Sequence, residues 1–367
     1  MSTLVFRICL ICAFSATLLT PSSCHDHSRL HKKQAALFVF GDSLFDVGNN
    51  NYLNTSTNFQ ANFWPYGETF FKHPTGRFSD GRLPPDMIAA YAKLPLIPPY
   101  LQPGFNHYAY GVNFASAGAG ALVESHQGFV IDLKTQLKYF ERVEKQLRHK
   151  LGHADTVLSE AVYLIGIGSN DYSYALRTNS SLFGFSPQEF IGLVIGNITD
   201  VIKEIYKKGG RKFGILGMAP VGCVPSSRAV KAGNTGACVE ELNAVAKLHN
   251  IVLEKSLLKL KGHLPGFKYS YPNIYPLVDD MFNNASKYGF KEGKTACCGS
   301  GPFSGINSCG GKRGVTQYEL CDKVNDYVFF DADHPTERFY QKVSKFWWSR
   351  KPEHTETYFS LKELFEV

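Results

Sequence analysis

Four places in this sequence carry side chains that could act on a carbonyl carbon. Ser43 follows Gly41-Asp42, Asn170 follows Gly168-Ser169, a small-residue turn spans Ser116 to Gly120, and Asp331 and His334 stand three apart. Acyl transfer needs such a set: a hydroxyl nucleophile, an imidazole base, and a carboxylate that holds the imidazole in the right tautomer. It also needs donors aimed at the developing oxyanion, which backbone N–H groups and an asparagine amide can supply. The three-residue spacing lets Asp331 accept from one ring nitrogen of His334 while the other faces away. Each residue also has a plain structural reading. Ser43 and Asn170 could cap turns, and His334 could be a surface residue ahead of a helix.

These residues do chemistry only if the elements before them bring them together. Ala36 to Phe40 is apolar without a break and ended by Gly41, which predicts a strand buried on both faces, as in a parallel sheet. Ser43 then lies where the strand's carboxyl end opens into a loop, the edge where open α/β sheets bind ligands. Further strands are predicted over Tyr110–Ala115, Ala161–Ile167, Lys212–Leu216 and Lys268–Tyr271. The run Tyr327–Phe330 leads into Asp331. Between them lie helical patterns: a face of Leu133, Leu137, Phe140, Val143 and Leu147; a helix from Ser186-Pro187-Gln188-Glu189 to about Lys207; Val239 to Leu260; Pro276 to Tyr288; and one ending near Trp348. Pro84-Pro85 opens a shorter helix through Tyr91. Asn54 to Pro103 is otherwise irregular, and Cys297 to Gly314 is a glycine- and cysteine-rich loop. Strands alternating with helices predict an α/β fold with a central parallel sheet and helices on both faces. No repeat or linker divides the chain, so residues 25–367 are expected to form a single domain.

Residues 1–24 have a different character. Ile8 to Leu19 is an apolar run of signal-peptide length behind Arg7, followed by the small residues and proline of a cleavage region. A secretory signal is expected, and no second apolar run reaches the length of a membrane span. Three of the nine cysteines fall in that segment, leaving Cys223, Cys238, Cys297, Cys298, Cys309 and Cys321. An even number suits disulfides in an oxidising compartment, with pairings that spacing alone does not choose. Zinc is disfavoured because no paired C-x2-C spacing occurs. Secretion would make Asn54, Asn179, Asn197 and Asn284, each in an Asn-x-Ser/Thr sequon, glycosylation candidates. The net charge of +7 is scattered, which argues for an ordinary solvated surface and against a nucleic-acid partner. Neither a metal nor a cofactor is expected. There is no P-loop, no H-E-x-x-H and no G-x-S-x-G elbow.

The polar blocks also form an ordered pattern: Gly41-Asp42-Ser43-Leu44 with Phe45-Asp46-x-Gly48-Asn49-Asn50; Asn113-Phe114-Ala115-Ser116-x-x-x-Gly120; Gly168-Ser169-Asn170-Asp171; and Asp331-x-x-His334. Together they resemble the four blocks of the plant GDSL esterase/lipases, members of the SGNH hydrolase superfamily. Cys297-Cys298-Gly299 is also similar to that family. The resemblance implies a flavodoxin-like three-layer α/β/α sandwich. It implies Ser43 as nucleophile, His334 as base and Asp331 as its orienting partner. The oxyanion hole would come from Ser43 N–H, Gly120 N–H and the Asn170 side chain. Ala117 stands where many relatives have glycine, which leaves open which amide of Gly118 to Gly120 donates. The expected activity is that of a secreted serine esterase or lipase acting on lipid, cell-wall or metabolite esters in plant defence or development. An acyltransferase with the same triad, and a catalytically silent lipid- or carbohydrate-binding protein, are the alternatives. Oligomeric state is not legible.

Overall fold

The run LFVFG forms β1 (Leu37–Gly41), buried at every position and paired on both sides. A computed structural model describes residues 35–178, 185–230, 235–350 and 358–367; the expected signal segment, its leader and Asn179 lie outside the described residues. In chain order β1 is followed by α1 (Pro84–Tyr91), β2 (Gly111–Asn113), α2 (Leu133–Lys150), α3 (Ala154–Glu160) and β3 (Val162–Gly166). Then come α4 (Ser169–Thr178), α5 (Pro187–Lys207), β4 (Lys212–Ile215), α6 (Pro225–Val230), α7 (Glu240–His263), β5 (Lys268–Ser270) and α8 (Tyr275–Asn283). Strands β1 to β5 make one parallel sheet in the order β2-β1-β3-β4-β5.

Side chains alternate across a strand, so β1 feeds two separate cores. Phe38 and Phe40 point to one face, where Tyr163, Phe213 and Tyr269 of the neighbouring strands join them. Leu133, Phe140 and Val143 of α2, Ile191 to Ile205 of α5, and Ala246 to Leu260 of α7 cover that face. Phe38 meets both Phe140 and Tyr163 at a ring distance of 5.4 Å. Leu37, Val39, Val162 and Leu164 point the other way, onto Ile88 and Ala89 of α1 and onto C-terminal side chains including Trp347 and Leu361. The result is a three-layer α/β/α sandwich. Local signals start its helices where expected: Asp132 accepts from Thr135 N at the head of α2, and Ser186 and Glu189 form a capping box on α5.

The C-terminal third departs from the alternating pattern. β6 (Glu292–Ala296) pairs in parallel with β9 (Tyr327–Phe329), while β7 (Cys298–Gly299) pairs antiparallel with β8 (Glu319–Leu320). The apolar run before Asp331 therefore belongs to a small sheet beside the main one. Three disulfides, Cys223–Cys238, Cys297–Cys321 and Cys298–Cys309, join all six cysteines, two of them stapling this region. α9 (Glu337–Ser349) and α10 (Leu361–Glu366) close the second layer, and Ala35–Val367 forms one compact unit. No helix among the described residues is long and apolar enough to cross a membrane.

Candidate active site

The sheet order reverses direction at β1, which has β2 on one side and β3 on the other. Such a switch point leaves a crevice at the strands' carboxyl ends. Gly41 and Gly166 lie side by side at the ends of β1 and β3, and Ser43 and Asn170 lie just beyond them. Both are glycine for a reason. A side chain on either would run into Phe45, which folds back over the junction as the chain turns after Asp42.

Many of the polar residues around Ser43 hold backbone in place. Asp46 accepts from Gly48 N, Asn49 N and Ala117 N. The Asn49 amide donates to the carbonyls of Asn113 and Ala115, and the Asn50 amide to those of Phe59 and Ala117. The first block thus clamps the second against the end of β1. Gln136 of α2 adds a brace, exchanging two 2.9 Å hydrogen bonds with the Gly41 backbone. Asp171 does the same work at the third block, accepting from Ala121 N, Leu122 N and Ser125 Oγ.

The fourth block arrives on the turn after β9. Ser43 Oγ lies 2.8 Å from His334 Nε2, and His334 Nδ1 lies 2.8 Å from Asp331 Oδ1. An ionised carboxylate only accepts, so Nδ1 carries the proton and Nε2 is free to accept from the serine hydroxyl. Asp331 Oδ1 also receives the backbone N–H groups of Asp333 and His334, which fixes the turn. Burial alone would raise the Asp331 carboxyl, but His334, Arg313 and the Tyr66 hydroxyl outweigh it and hold it well below the usual carboxylate range. Burial lowers His334, and the charge and hydrogen bond of Asp331, with Asp333 beside it, more than reverse that. The Phe78 ring, 4.6 Å from the imidazole, covers it from the side.

Asn170 sits in the first turn of α4 and lines the same cavity, its Nδ2 donating to Ala119 O at 3.0 Å. A second amide hydrogen remains on that nitrogen. Gly120 does not reach the cavity. It packs on Asp171 and Ser125, where a side chain would collide with both, and Gly118 lines the wall instead, with φ at +83°. Ala117 N–H is already committed to Asp46, whereas no acceptor among the described residues takes Gly118 N–H or Ser43 N–H. The positive φ at this position suits glycine.

The cavity holds about 560 Å³. One part of its wall belongs to the apolar cluster of Ile274, Val278, Phe282, Phe329, Phe339 and Val343. Another part is Phe59, His126 and Tyr174, which pack in series, tilted and edge-on, with ring distances of 4.8 Å next to Gly118. Among the described residues no cluster of histidine, cysteine or carboxylate side chains could hold a metal ion.

Comparison with known proteins places this geometry. The model of the GDSL-like lipase/acylhydrolase family matches residues 37–347. The chain belongs to that family. It is 52% identical over 364 residues to GDSL esterase/lipase 2 of Arabidopsis thaliana, covering 97% of this chain and 96% of the relative. GDSL esterase/lipase 1 of the same plant is 52% identical over 351 residues, 94% of each chain. A GDSL lipase of Tanacetum cinerariifolium is 47% identical over 337 residues, 91% of this chain and 89% of its own. The family supports a carboxylic ester hydrolase, and the parallel sheet with helices on both faces is consistent with its three-layer fold.

Within this GDSL site, one side chain in contact with Asp331 and a second one behind it had no signal in the sequence. Tyr66 donates to Asp331 Oδ2 at 2.6 Å, and Arg313 donates to the Tyr66 oxygen at 2.6 Å. Both come from irregular segments, where no period or cap marks a residue. Of the glycosylation candidates, Asn54 and Asn284 are exposed. Asn197 is half-buried within α5, its amide donating to Leu193 O.

Proposed function

We propose that this GDSL hydrolase cleaves carboxylic esters through an acyl-enzyme on Ser43. The observation that carries the reading is the unbroken line of two 2.8 Å contacts from Ser43 through His334 to Asp331. His334 Nε2 takes the hydroxyl proton as Ser43 attacks the ester carbon, then returns it to the leaving alcohol; water repeats the cycle in reverse. Asp331 keeps the imidazole oriented and stabilises its protonated form. Ser43 N–H, Gly118 N–H and the second hydrogen of the Asn170 amide are the donors for the oxyanion. The apolar wall suits an acyl chain, which favours a lipid or an apolar metabolite ester over a short wall acetate. The three disulfides and the signal-like first 24 residues support secretion to the apoplast or cell wall, and a role in plant defence or development fits such a place.

Labelling by a fluorophosphonate, with 4-nitrophenyl ester hydrolysis in parallel, tests the mechanism. Ser43→Ala should abolish both while leaving the melting temperature nearly unchanged, because the half-exposed hydroxyl contributes little packing. An alanine variant that still turns over the ester would remove Ser43 from the reaction.

A further inference from the structure

We propose that Tyr66 and Arg313 are positioning residues of the reaction, forming a relay that fixes Asp331 from the side opposite His334. Asp331 has two carboxylate oxygens with separate duties. Oδ1 faces His334, and Oδ2 accepts the Tyr66 hydroxyl at 2.6 Å. With only Oδ1 engaged, the carboxylate could rotate about its Cβ–Cγ bond; with both engaged, its plane is set. Tyr66 is fully buried, and its ring packs edge-on against Phe63, Phe78 and Phe330. Phe78 in turn covers His334. The phenol oxygen that donates to Asp331 accepts from Arg313 Nη1, so the two hydrogen bonds polarise one another.

Arg313 is held more tightly than a surface cation. It is 9% exposed, and its fork also donates to Gln60 O at 2.6 Å, Thr57 O at 3.1 Å and Asn307 Oδ1 at 3.0 Å. Its guanidinium lies 5.1 Å from the centres of the Phe63 and Tyr66 rings. No carboxylate among the described residues pairs with it directly. The anions it faces are Asp331, through Tyr66, and Asp333, which Ser226 anchors at the cavity wall. A buried guanidinium without a direct ion pair is costly to keep. Its reach onto Asp331 is what this arrangement obtains: a fixed positive charge behind the orienting carboxylate, joined by a phenol that only donates to it. The loop that carries Arg313 is stapled by Cys298–Cys309 on one side and Cys297–Cys321 on the other.

The charged groups around His334 are Asp331 and Asp333 on its own turn, Asp42 at the end of β1, and Arg313 behind Asp331. Arg313 is the one cation among them. Removing it leaves the carboxylates to favour the imidazolium, so the acid limb of kcat/KM should move to higher pH. Removing the Tyr66 hydroxyl makes Asp331 a stronger acceptor for His334 and moves the limb the same way by less.

The proposal rests on Ser43, His334 and Asp331 being the reacting set, so Ser43→Ala is measured beside the relay variants Tyr66→Phe, Arg313→Gln and Arg313→Lys. Turnover is expressed per site labelled to completion by a fluorophosphonate, which separates loss of folded protein from loss of rate. Tyr66→Phe should lower kcat per labelled site by about 10–100-fold, the span of a hydrogen bond to an ionised group. KM should change less than kcat. Arg313→Gln should lower kcat and shift the acid limb upward. Arg313→Lys keeps the charge without the fork, so its limb should stay near that of the unaltered protein while kcat falls. Residual hydrolysis by Ser43→Ala would defeat the triad reading itself. Inactive Ser43→Ala alongside relay variants with unaltered kcat per site and an unmoved limb would overturn the relay alone. Lower melting temperatures with those two readouts unmoved would likewise reduce Tyr66 and Arg313 to packing.

Discussion

At the scale of single residues, the site mixes side chains that face the cavity with others that only hold the chain. Ser43, Asp331 and His334 were legible because their types are rare in combination and their spacing is local. Asn170 was legible only by its place after a strand, and its role is separable by experiment. As an oxyanion donor it acts most when the carbonyl oxygen becomes negative, so Asn170→Ala should lower kcat by about 10²–10³-fold with little change in KM. Its hydrogen bond to Ala119 O predicts a smaller loss of stability, about 1 kcal/mol. A variant that melts early but turns over normally would leave it a structural residue. That Gly118 lines the cavity and Gly120 does not could not be read from the block, because both are glycine. What distinguishes them is three-dimensional: Asp171 and Ser125 occupy the space beside Gly120, while Asp46 has already claimed the amide of Ala117. Tyr66 and Arg313 lie 265 and 18 residues from Asp331 in a chain with many tyrosines and arginines, and nothing local selects them.

At the scale of elements, legibility followed length and capping. The helix starting at Pro187 was readable from Ser186 and Glu189 because a capping box is a local hydrogen-bond exchange. The central strands β1 and β3 were readable because burial on both faces demands an unbroken apolar run. α3, α6 and α10 are of seven, six and six residues, too short to establish a period. α4 was missed because its first turn, Ser169-Asn170-Asp171, is as polar as a loop; its polar groups are turned to the cavity and to the 119–125 segment. β6, Glu-Gly-Lys-Thr-Ala, shows no strand pattern at all and is held by β9 and by the disulfides around it. Those disulfides should matter twice. Replacing Cys298 and Cys309 by serine should cost about 3 kcal/mol, as expected for freeing a loop of that length, measured by urea unfolding. It should also lower kcat, since the loop frames Arg313. The native protein should show no reactive thiol among these six cysteines; two or more maleimide-reactive thiols before denaturation would contradict the pairing.

At the scale of the molecule, the same burial that shapes the site sets how stability depends on pH. Burial raises the carboxyls of Asp42, Asp46, Asp80 and Asp171 from 3.8 to about 6, and that of half-buried Glu68 from 4.5 to about 7. Each binds its proton more tightly folded than unfolded, so between those values the native state carries more protons than the unfolded chain. Stability then falls as pH rises through the window and is recovered as pH drops. His334, also raised, acts in the same sense. His249, buried against Tyr172 and lowered by that burial from 6.5 to about 3, acts in the opposite one, because the unfolded chain takes up a proton there that the native state refuses. One imidazole does not offset five carboxyls. Below about 4 the balance turns, since Asp331 is depressed in the native state and its stabilising charge is lost as pH falls. The melting temperature should therefore peak at about pH 4 and be lower at pH 7.5. The proposed hydrolysis through Ser43 has the opposite demand. His334 must be neutral to accept from Ser43, and Asp331 holds it protonated to higher pH than a free imidazole, so kcat/KM should still be rising above pH 6.5. The two optima should be separated, with the enzyme most stable at a pH where much of it is not yet active. Melting curves and kcat/KM profiles from pH 4 to 9 on one preparation decide this, and coincident optima or a melting maximum above pH 7 would overturn it.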